Sequence, residues 1–100
     1  MFALVVKFKI KKGKEKDAVP LFRKAMENVR QNEDDTLVYD MHFNPSDSSE
    51  IMFYERYKNR DAWAVTHVSQ PYIKELLADL ADYLDGELEI NEYEVVETLR

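Results

Sequence analysis

The chain has 100 residues, of which 45% are hydrophobic and 12% aromatic, and its formal net charge is −6. This length and composition predict one compact domain over residues 1–100 and exclude a disordered chain. The acidic balance argues against a nucleic-acid partner. The absence of cysteine rules out disulfides and cysteine-ligated metals. Because no apolar stretch reaches 18 residues, no membrane partner and no export are expected, and a cytoplasmic location is the natural expectation.

The first half of the chain predicts a strand, a helix and a second strand. Residues 2–10 alternate apolar side chains with period two, which indicates a strand. From residue 14 to residue 31 the apolar positions recur every three or four residues, which indicates an amphipathic helix. Pro20 is expected to kink that helix mildly. Residues 36–43 alternate again and predict the second strand.

The second half predicts a hairpin, two helices and a closing strand. Turn-forming residues fill positions 44–49, so the strand at 50–57 is expected to pair antiparallel with the one before it. A short helix follows up to about Val68, with Asn59 as its N-cap, and Ser69 is expected to cap the next helix. Residues 87–97 predict the fourth strand. The expected buried stripe of the last helix is Ile73, Leu76, Leu77, Leu80 and Leu84.

The order βαββααβ predicts an α+β, ferredoxin-like fold, in which helices cover one face of a four-stranded antiparallel sheet. The first and third strands are apolar on both faces. Since the helices cover only one of these faces, the other is expected to pack against a second copy of the chain. The sequence therefore predicts a homodimer.

Few residues carry chemistry that the sequence pattern can single out. His42 and His67 have no partner at a metal-ligand spacing, and two glycines cannot form a phosphate-binding loop, so neither a metal nor a cofactor is predicted. Glu55 stands between Phe53 and Tyr57 on one face of a strand. A carboxylate there needs a partner or a polar cavity, so it either forms a salt bridge with a basic neighbour or belongs to a cavity.

His67 follows Trp63 by four residues, which places both side chains on one side of a helix. One interpretation is a base and an aromatic wall around a planar substrate. The other is a histidine that caps helix carbonyls beside a core tryptophan. The tyrosines at 39, 54, 57 and 72 likewise suit either cavity walls or the core.

Several segments together resemble the antibiotic-biosynthesis-monooxygenase (ABM) domain of the dimeric α/β-barrel superfamily. They are Phe53-Tyr54-Glu55-x-Tyr57, Asp61-Ala62 and His67-x-x-x-Pro71-Tyr72, preceded by Lys12-Gly13-Lys14 after the first strand. The resemblance implies a dimeric α/β barrel, in which the two sheets face each other. It also implies a substrate cavity in each subunit, between the sheet and the helices.

For function, the resemblance implies a cofactor-independent monooxygenase that oxidises a small quinol-like or aromatic molecule with dioxygen. His67 would be the base and Glu55 would orient or pair. The expected substrate-binding residues are Phe53, Tyr57, Trp63, Tyr39 and Tyr72. The chain lacks the strand asparagine of the anthrone-oxidising members, and Val6 stands near the asparagine position of the haem-degrading members, so neither of those activities is expected.

Two alternatives remain open at this point. The run Tyr54-Glu55-x-Tyr57-Lys58 also resembles the branch that contains the autoinducer-2 phosphate isomerase, which implies isomerisation of a small phosphorylated keto compound. Lys7, Lys9 and Lys58 would then meet the phosphate. The same fold could instead serve as a dimer that binds a small ligand without turnover.

Overall fold

The structure, a computed structural model, describes residues 1–100. Its elements follow the predicted order, with a short π-helical segment in place of the first of the two C-terminal helices. The four strands form one antiparallel sheet in the order β2-β3-β1-β4, so the predicted ferredoxin-like α+β fold is confirmed. The elements are β1 (Phe2–Lys9), α1 (Glu15–Asn32), β2 (Thr36–Asn44), β3 (Asp47–Tyr57), the π-helical segment (Ala62–His67), α2 (Pro71–Leu80) and β4 (Glu89–Glu94).

The register of the two central strands decides which side chains share a face. Phe2 of β1 lies opposite Tyr57 of β3, and Lys9 lies opposite Glu50. Alternation along both strands then directs the even-numbered residues of β1 and the odd-numbered residues of β3 toward the helices. All of the odd-numbered positions from 49 to 57 are buried.

The core lies between the helices and this covered face. The predicted stripe of α1 packs inward through Ala18, Phe22, Ala25 and Val29, each no more than 4% exposed. The ring of Phe22 lies 5.4 Å from that of Phe53 on β3. Packing of an amphipathic helix on a sheet in this way is the main source of stability in a small domain, at about 1.5–3 kcal/mol for each large apolar side chain buried.

The β2–β3 hairpin turns more tightly than predicted, through Pro45 and Ser46 alone. The side chain of Asn44 accepts the Ser46 N–H at 2.8 Å and thereby closes the turn. Asp47 accepts both the N–H and the hydroxyl of Ser49, at 3.1 and 2.6 Å. Asp47 and Ser49 therefore belong to the strand, and β3 begins at Asp47 rather than at residue 50.

The C-terminal third departs from the prediction at four points. Gln70, not Ser69, is the N-cap of α2, with Pro71 as the first helical residue. Leu77 is 46% exposed, because the single helix neighbour α1 covers only part of the α2 surface. Leu84 lies beyond the end of α2, in an isolated bridge with Ile10. β4 covers six residues, fewer than the eleven predicted.

The second sheet face is covered by no other element of the chain. On β1, β3 and β4 this open face carries the side chains of Ala3, Val5, Met52, Tyr54 and Tyr93. Arg56 lies among them, and its Nε is buried without a hydrogen-bond partner. No helix is both long and apolar enough to cross a membrane.

Candidate active site

A cluster of buried polar side chains lies between the covered sheet face and the helices, where β3 ends. We call Glu33, Glu55, Tyr57, His67 and Tyr72 the acid cluster. The exposed fractions of Glu33, Glu55 and His67 are 6%, 4% and 4%. Charged and polar groups are rarely buried to this extent unless hydrogen bonds compensate for the loss of water. The hydrogen-bond partners of these three side chains therefore show how the site is built.

Glu33 is the centre of this cluster. It is the C-cap of α1, and its side chain turns inward from the end of that helix. His67 Nδ1 lies 2.7 Å from Oε1 and the Thr36 hydroxyl donates to the same oxygen at 2.7 Å, while the Tyr72 hydroxyl donates to Oε2. One carboxylate thus joins the end of α1 to the start of β2, the π-helical segment and α2.

His67 lies at the end of a short helix that changes its winding along its length. Asn59 accepts the Ala62 N–H at 2.9 Å, which confirms Asn59 as the N-cap. The segment then continues with π-helical hydrogen bonds, the last of which runs from the Val68 N–H to the Trp63 carbonyl at 3.2 Å. Short π-helical insertions are frequent at functional sites. His67 bonds a carboxylate, so it does not cap the carbonyls of its helix.

Glu55 forms the second part of the cluster. The Tyr57 hydroxyl donates to Glu55 Oε1 at 2.5 Å, two positions along the same face of β3. No basic side chain forms a salt bridge with Glu55, so that alternative from the sequence is wrong. The Glu55 carboxyl is held by a phenol inside the domain.

The two carboxyl groups have opposite shifts in pKa. Burial would raise the pKa of Glu33, but the hydrogen bonds from His67, Tyr72 and Thr36, and the positive charge of His67 when its ring is protonated, lower it below its ordinary value. Burial raises the pKa of Glu55, and the hydrogen bond from Tyr57 offsets this only in part. Burial and the neighbouring Glu55 also raise the pKa of Tyr57 well above that of a free phenol. Such divergence between neighbouring groups is common at sites of acid–base chemistry.

Aromatic rings surround the imidazole of His67. Its centroid lies 5.2 Å from that of Tyr39 and 5.6 Å from that of Tyr57, and Tyr39 lies 5.1 Å from Phe53. Burial raises the pKa of Tyr39 well above its usual value, so its hydroxyl stays protonated. Six of the seven residues singled out from the sequence thus lie in one contiguous group: Phe53, Glu55, Tyr57, His67, Tyr39 and Tyr72.

Trp63 is the exception. Its ring stacks on Phe2 at 5.6 Å, and the guanidinium of Arg60 lies 5.4 Å from its centroid. The ring contacts from Trp63 reach His67 only through Phe2 and Tyr57. Trp63 and His67 therefore make no ring contact with each other, so the tryptophan does not form an aromatic wall directly beside the imidazole.

A surface cleft on the side of α1 and β2 reaches Glu33 of this cluster but is not lined by Glu55, Tyr57, His67 or Tyr72. Its volume is about 340 Å³, at the lower end of the range for small-molecule sites. Thr36, which bonds Glu33, and Tyr39, whose ring lies beside His67, also line it. The remaining lining is mixed, with apolar Met26, Val29, Leu37 and Val38 and charged Arg30 and Asp40. No three His, Asp or Glu side chains come together as ligands for a metal ion.

The model of the antibiotic biosynthesis monooxygenase family matches residues 1–79. The chain belongs to this family. A crystal structure of an antibiotic biosynthesis monooxygenase superposes with a TM-score of 0.89 at 21% identity, over 97% of this chain and 100% of that one. The ABM resemblance seen in the sequence is therefore confirmed.

Two further ABM structures share the fold. A protein from Nitrosomonas europaea superposes with a TM-score of 0.90 at 20% identity, over 97% of this chain and 100% of its own. One from Caulobacter crescentus CB15 gives 0.91 at 23% identity, over 96% and 90%. The comparison with curated proteins found no match.

Glu33 and Thr36 are the members of this candidate site that sequence reasoning missed. Both fall in or beside the stretch Asn32–Asp35, which reads as a polar break between helix and strand. The one available signal was the position of Glu33. It ends an amphipathic helix four residues after the buried Val29, so its side chain can still lie on the buried side of that helix. Because Glu33, Asp34 and Asp35 are all acidic, the sequence does not show which of the three turns inward.

Proposed function

We propose that the chain is a cofactor-independent monooxygenase that oxidises a small quinol-like or other aromatic substrate with dioxygen. The observation that carries the proposal is the buried hydrogen bond between His67 and Glu33 beside the rings of Tyr39 and Tyr57. An imidazole held in this way can accept a proton, and the rings offer surfaces for a planar substrate. Membership of the ABM family supports the reaction class.

The reaction needs a base and dioxygen. His67 takes the proton of a substrate hydroxyl, and the electron-rich anion transfers electrons to dioxygen and forms a ring C–O bond. Loss of the ring C–H proton and cleavage of the O–O bond then leave a new carbonyl or hydroxyl on the ring, with the second oxygen released as water. A quinol and one dioxygen thus give one hydroxyquinone and one water. The substrate supplies all four electrons.

Each remaining side chain has a proposed role in this scheme. The rings of Tyr39, Phe53 and Tyr57 bound the substrate, and Tyr72 helps to hold Glu33. Glu55 and its Tyr57 partner supply a polar pair opposite His67. The substrate enters from the cleft of about 340 Å³, whose lining includes Glu33, Thr36 and Tyr39. Trp63 supports this wall from behind, through Phe2 and Tyr57.

The proposal includes a homodimer in which the open sheet faces of two copies pack together. Val5 and Tyr54 lie side by side at the middle of this face, and in the single chain no element covers them. The buried Nε of Arg56 also lacks a partner within the chain. A second copy would cover the apolar side chains and could offer an acceptor to Arg56.

No observation favours the isomerase alternative. Its proposed phosphate ligands lie apart, because Lys58 follows the end of β3 next to Phe2, whereas Lys7 and Lys9 lie toward the opposite end of β1. Glu50, Glu87 and Glu89 also surround Lys7 and Lys9 in a surface cleft and repel a phosphate there.

The experiment is oxygen uptake by the purified chain on a panel of quinols and naphthalene-diols. We expect one dioxygen consumed per substrate, a hydroxylated quinone as product and no hydrogen peroxide. Replacement of His67 by Ala should lower kcat by about 10²–10⁴-fold, the usual contribution of a general base. The matched control is His42→Ala, since His42 is exposed at the far end of β2 and bonds only the Met52 carbonyl.

Three outcomes would overturn the proposal or part of it. If His67→Ala and His42→Ala both keep the native rate, His67 is not the base. Tight binding of a panel compound with no oxygen uptake and no change in the compound would instead indicate a ligand-binding dimer. Rearrangement of a phosphorylated keto compound without oxygen would indicate the isomerase.

A further inference from the structure

Glu33 occupies a position that is unfavourable for a carboxylate on two counts. It ends α1, where the partial negative charge of the helix dipole repels an anion. Its side chain is also only 2% exposed, so it has given up almost all of its hydration. An apolar side chain at this buried position would avoid both costs. Departures from local rules of this kind concentrate at functional sites.

The surroundings of Glu33 are arranged to keep it ionised and immobile. Oε1 receives the His67 ring and the Thr36 hydroxyl, each at 2.7 Å, and Oε2 receives the Tyr72 hydroxyl. The two hydroxyls donate to the carboxylate, and the three groups come from three different elements. Because both oxygens are held, the carboxylate plane cannot rotate without breaking a buried hydrogen bond.

This arrangement fixes the proton on the imidazole ring. An ionised carboxylate can only accept, so Nδ1 of His67 must carry the hydrogen of the bond at 2.7 Å. In the neutral ring the lone pair is then on Nε2. That atom forms no hydrogen bond within the chain, so it is the ring nitrogen that can accept a proton.

We propose that Glu33 is the positioning residue of the site: it holds His67 in the Nδ1–H tautomer, aims Nε2 at the substrate and stabilises the imidazolium that forms. The inference rests on the proposed function for its catalytic meaning. Its structural content, the tautomer and the charge beside it, can be measured without any substrate. Glu33 itself touches no reacting atom in this scheme.

Several ionisable groups besides Glu33 face the His67 ring. Glu55 and Tyr57 face it from β3, Tyr39 from β2, and Tyr72 of α2 shares the Glu33 carboxylate. The three tyrosines have pKa values raised above the ordinary one, so they stay neutral near neutral pH. The charges that act on His67 are therefore those of Glu33 and Glu55.

The first arm of the test is the ¹⁵N NMR spectrum of the histidine rings, which distinguishes the two neutral tautomers. We expect the Nδ1–H form for His67 in the native chain. In Glu33→Leu, which has no acceptor, the ring should shift toward the Nε2–H form that free histidine prefers in water. Circular dichroism checks that this variant folds. If it does not, Glu33→Gln takes its place, and any loss of the pure Nδ1–H signal is the expected result.

The second arm is the steady-state kinetics of oxygen uptake in Glu33→Gln, which keeps the shape and removes the charge. The kcat should fall at least about tenfold with KM unchanged, since an orienting carboxylate acts mainly on the transition state. A merely structural role would not lower kcat while KM stays unchanged.

The matched control is Glu27→Gln on the same helix, where the exposed Glu27 bonds only Arg30 and Gln31. It should leave the tautomer, kcat and KM as in the native chain. The inference is overturned if His67 is in the Nε2–H form in the native chain, or if Glu33→Gln keeps the native tautomer and the native kcat. If no substrate is turned over, the proposed function fails, and the NMR arm still decides the role of Glu33.

Discussion

Tyr57 and Glu55 form a pair in which each side chain is buried and each supplies the other's only side-chain hydrogen bond. Tyr57→Phe removes the donor and leaves a carboxylate inside the domain without a partner. We expect a loss of about 1–3 kcal/mol in the free energy of unfolding at pH 7, the usual cost of an unsatisfied buried group. Urea unfolding measures it. The control is Tyr83→Phe, a half-buried tyrosine in the turn after α2, which should cost much less.

The cost of Tyr57→Phe should depend on pH with a definite sign. The pKa of Glu55 is raised in the folded chain, so its favourable contribution is complete below the unfolded value of 4.5 and is lost as pH rises through the folded pKa. Loss of the Tyr57 hydrogen bond raises that pKa further. The destabilisation should therefore be smaller at pH 4 than at pH 7, and a cost that is equal at both pH values contradicts the pairing.

For single residues, the sequence reveals a polar side chain that stands among apolar neighbours. It does not reveal a buried acid that stands among other acids. Glu55 stands out because it interrupts an apolar strand face. Glu33 does not, since acids follow it at 34 and 35, and its partners His67 and Tyr72 are 34 and 39 positions away. Only the packing of α1 against the later helices reveals which acid points inward.

Among the elements, the π-helical segment depends on its N-terminal cap. Asn59→Ala removes the acceptor of the Ala62 N–H and should lower the free energy of unfolding by about 0.5–2 kcal/mol, the range for loss of an N-cap. Because His67 ends this segment, the same variant should also broaden its NMR signals. Chemical denaturation and the histidine spectrum measure the two effects.

Ser69→Ala is the informative comparison for Asn59→Ala, since Ser69 is the cap that the sequence predicted and the structure does not use. Its hydroxyl bonds the Thr66 carbonyl at an exposed site, so we expect a change within about 0.5 kcal/mol. Equal losses in the two variants would show that the cap at Asn59 is not what stabilises the segment.

Elements with many periodic positions were predicted well, and short ones less well. β1, α1 and β3 each supply enough alternating or i, i+3, i+4 positions to fix their type and their buried face. The six residues from Ala62 to His67 cannot distinguish α-helical from π-helical winding, because both bring an apolar residue inward about once per turn. The stripe of α2 was overestimated because the sequence spacing cannot show how much of the stripe α1 covers, and the side of the helix that carries Leu77 is left exposed.

For the whole molecule, the proposed homodimer makes a simple prediction. The native chain should have twice its 11.9 kDa mass in light scattering at micromolar concentration. Val5→Lys should reduce this to the monomer mass while circular dichroism stays native, because a lysine at the middle of the open face cannot be buried against another copy without losing its hydration.

Val65→Lys is the matched control for this experiment, because Val65 is 61% exposed on the π-helical segment, away from the open face. It should leave the native mass unchanged. A native chain of monomer mass, or a Val5→Lys variant that is still twice that mass, would contradict packing through the open face.

The stacking of Trp63 on Phe2 has a practical consequence for all of these experiments. The chain has a single tryptophan, so its fluorescence comes from one place. That indole is half-buried, carries the Arg60 guanidinium at 5.4 Å, and is joined through Phe2 to Tyr57. A substrate bound at the proposed site beside Tyr57 should alter the polarity and packing around the indole. We therefore expect the emission wavelength and quenching of Trp63 to report ligand binding in the unmodified protein without a label.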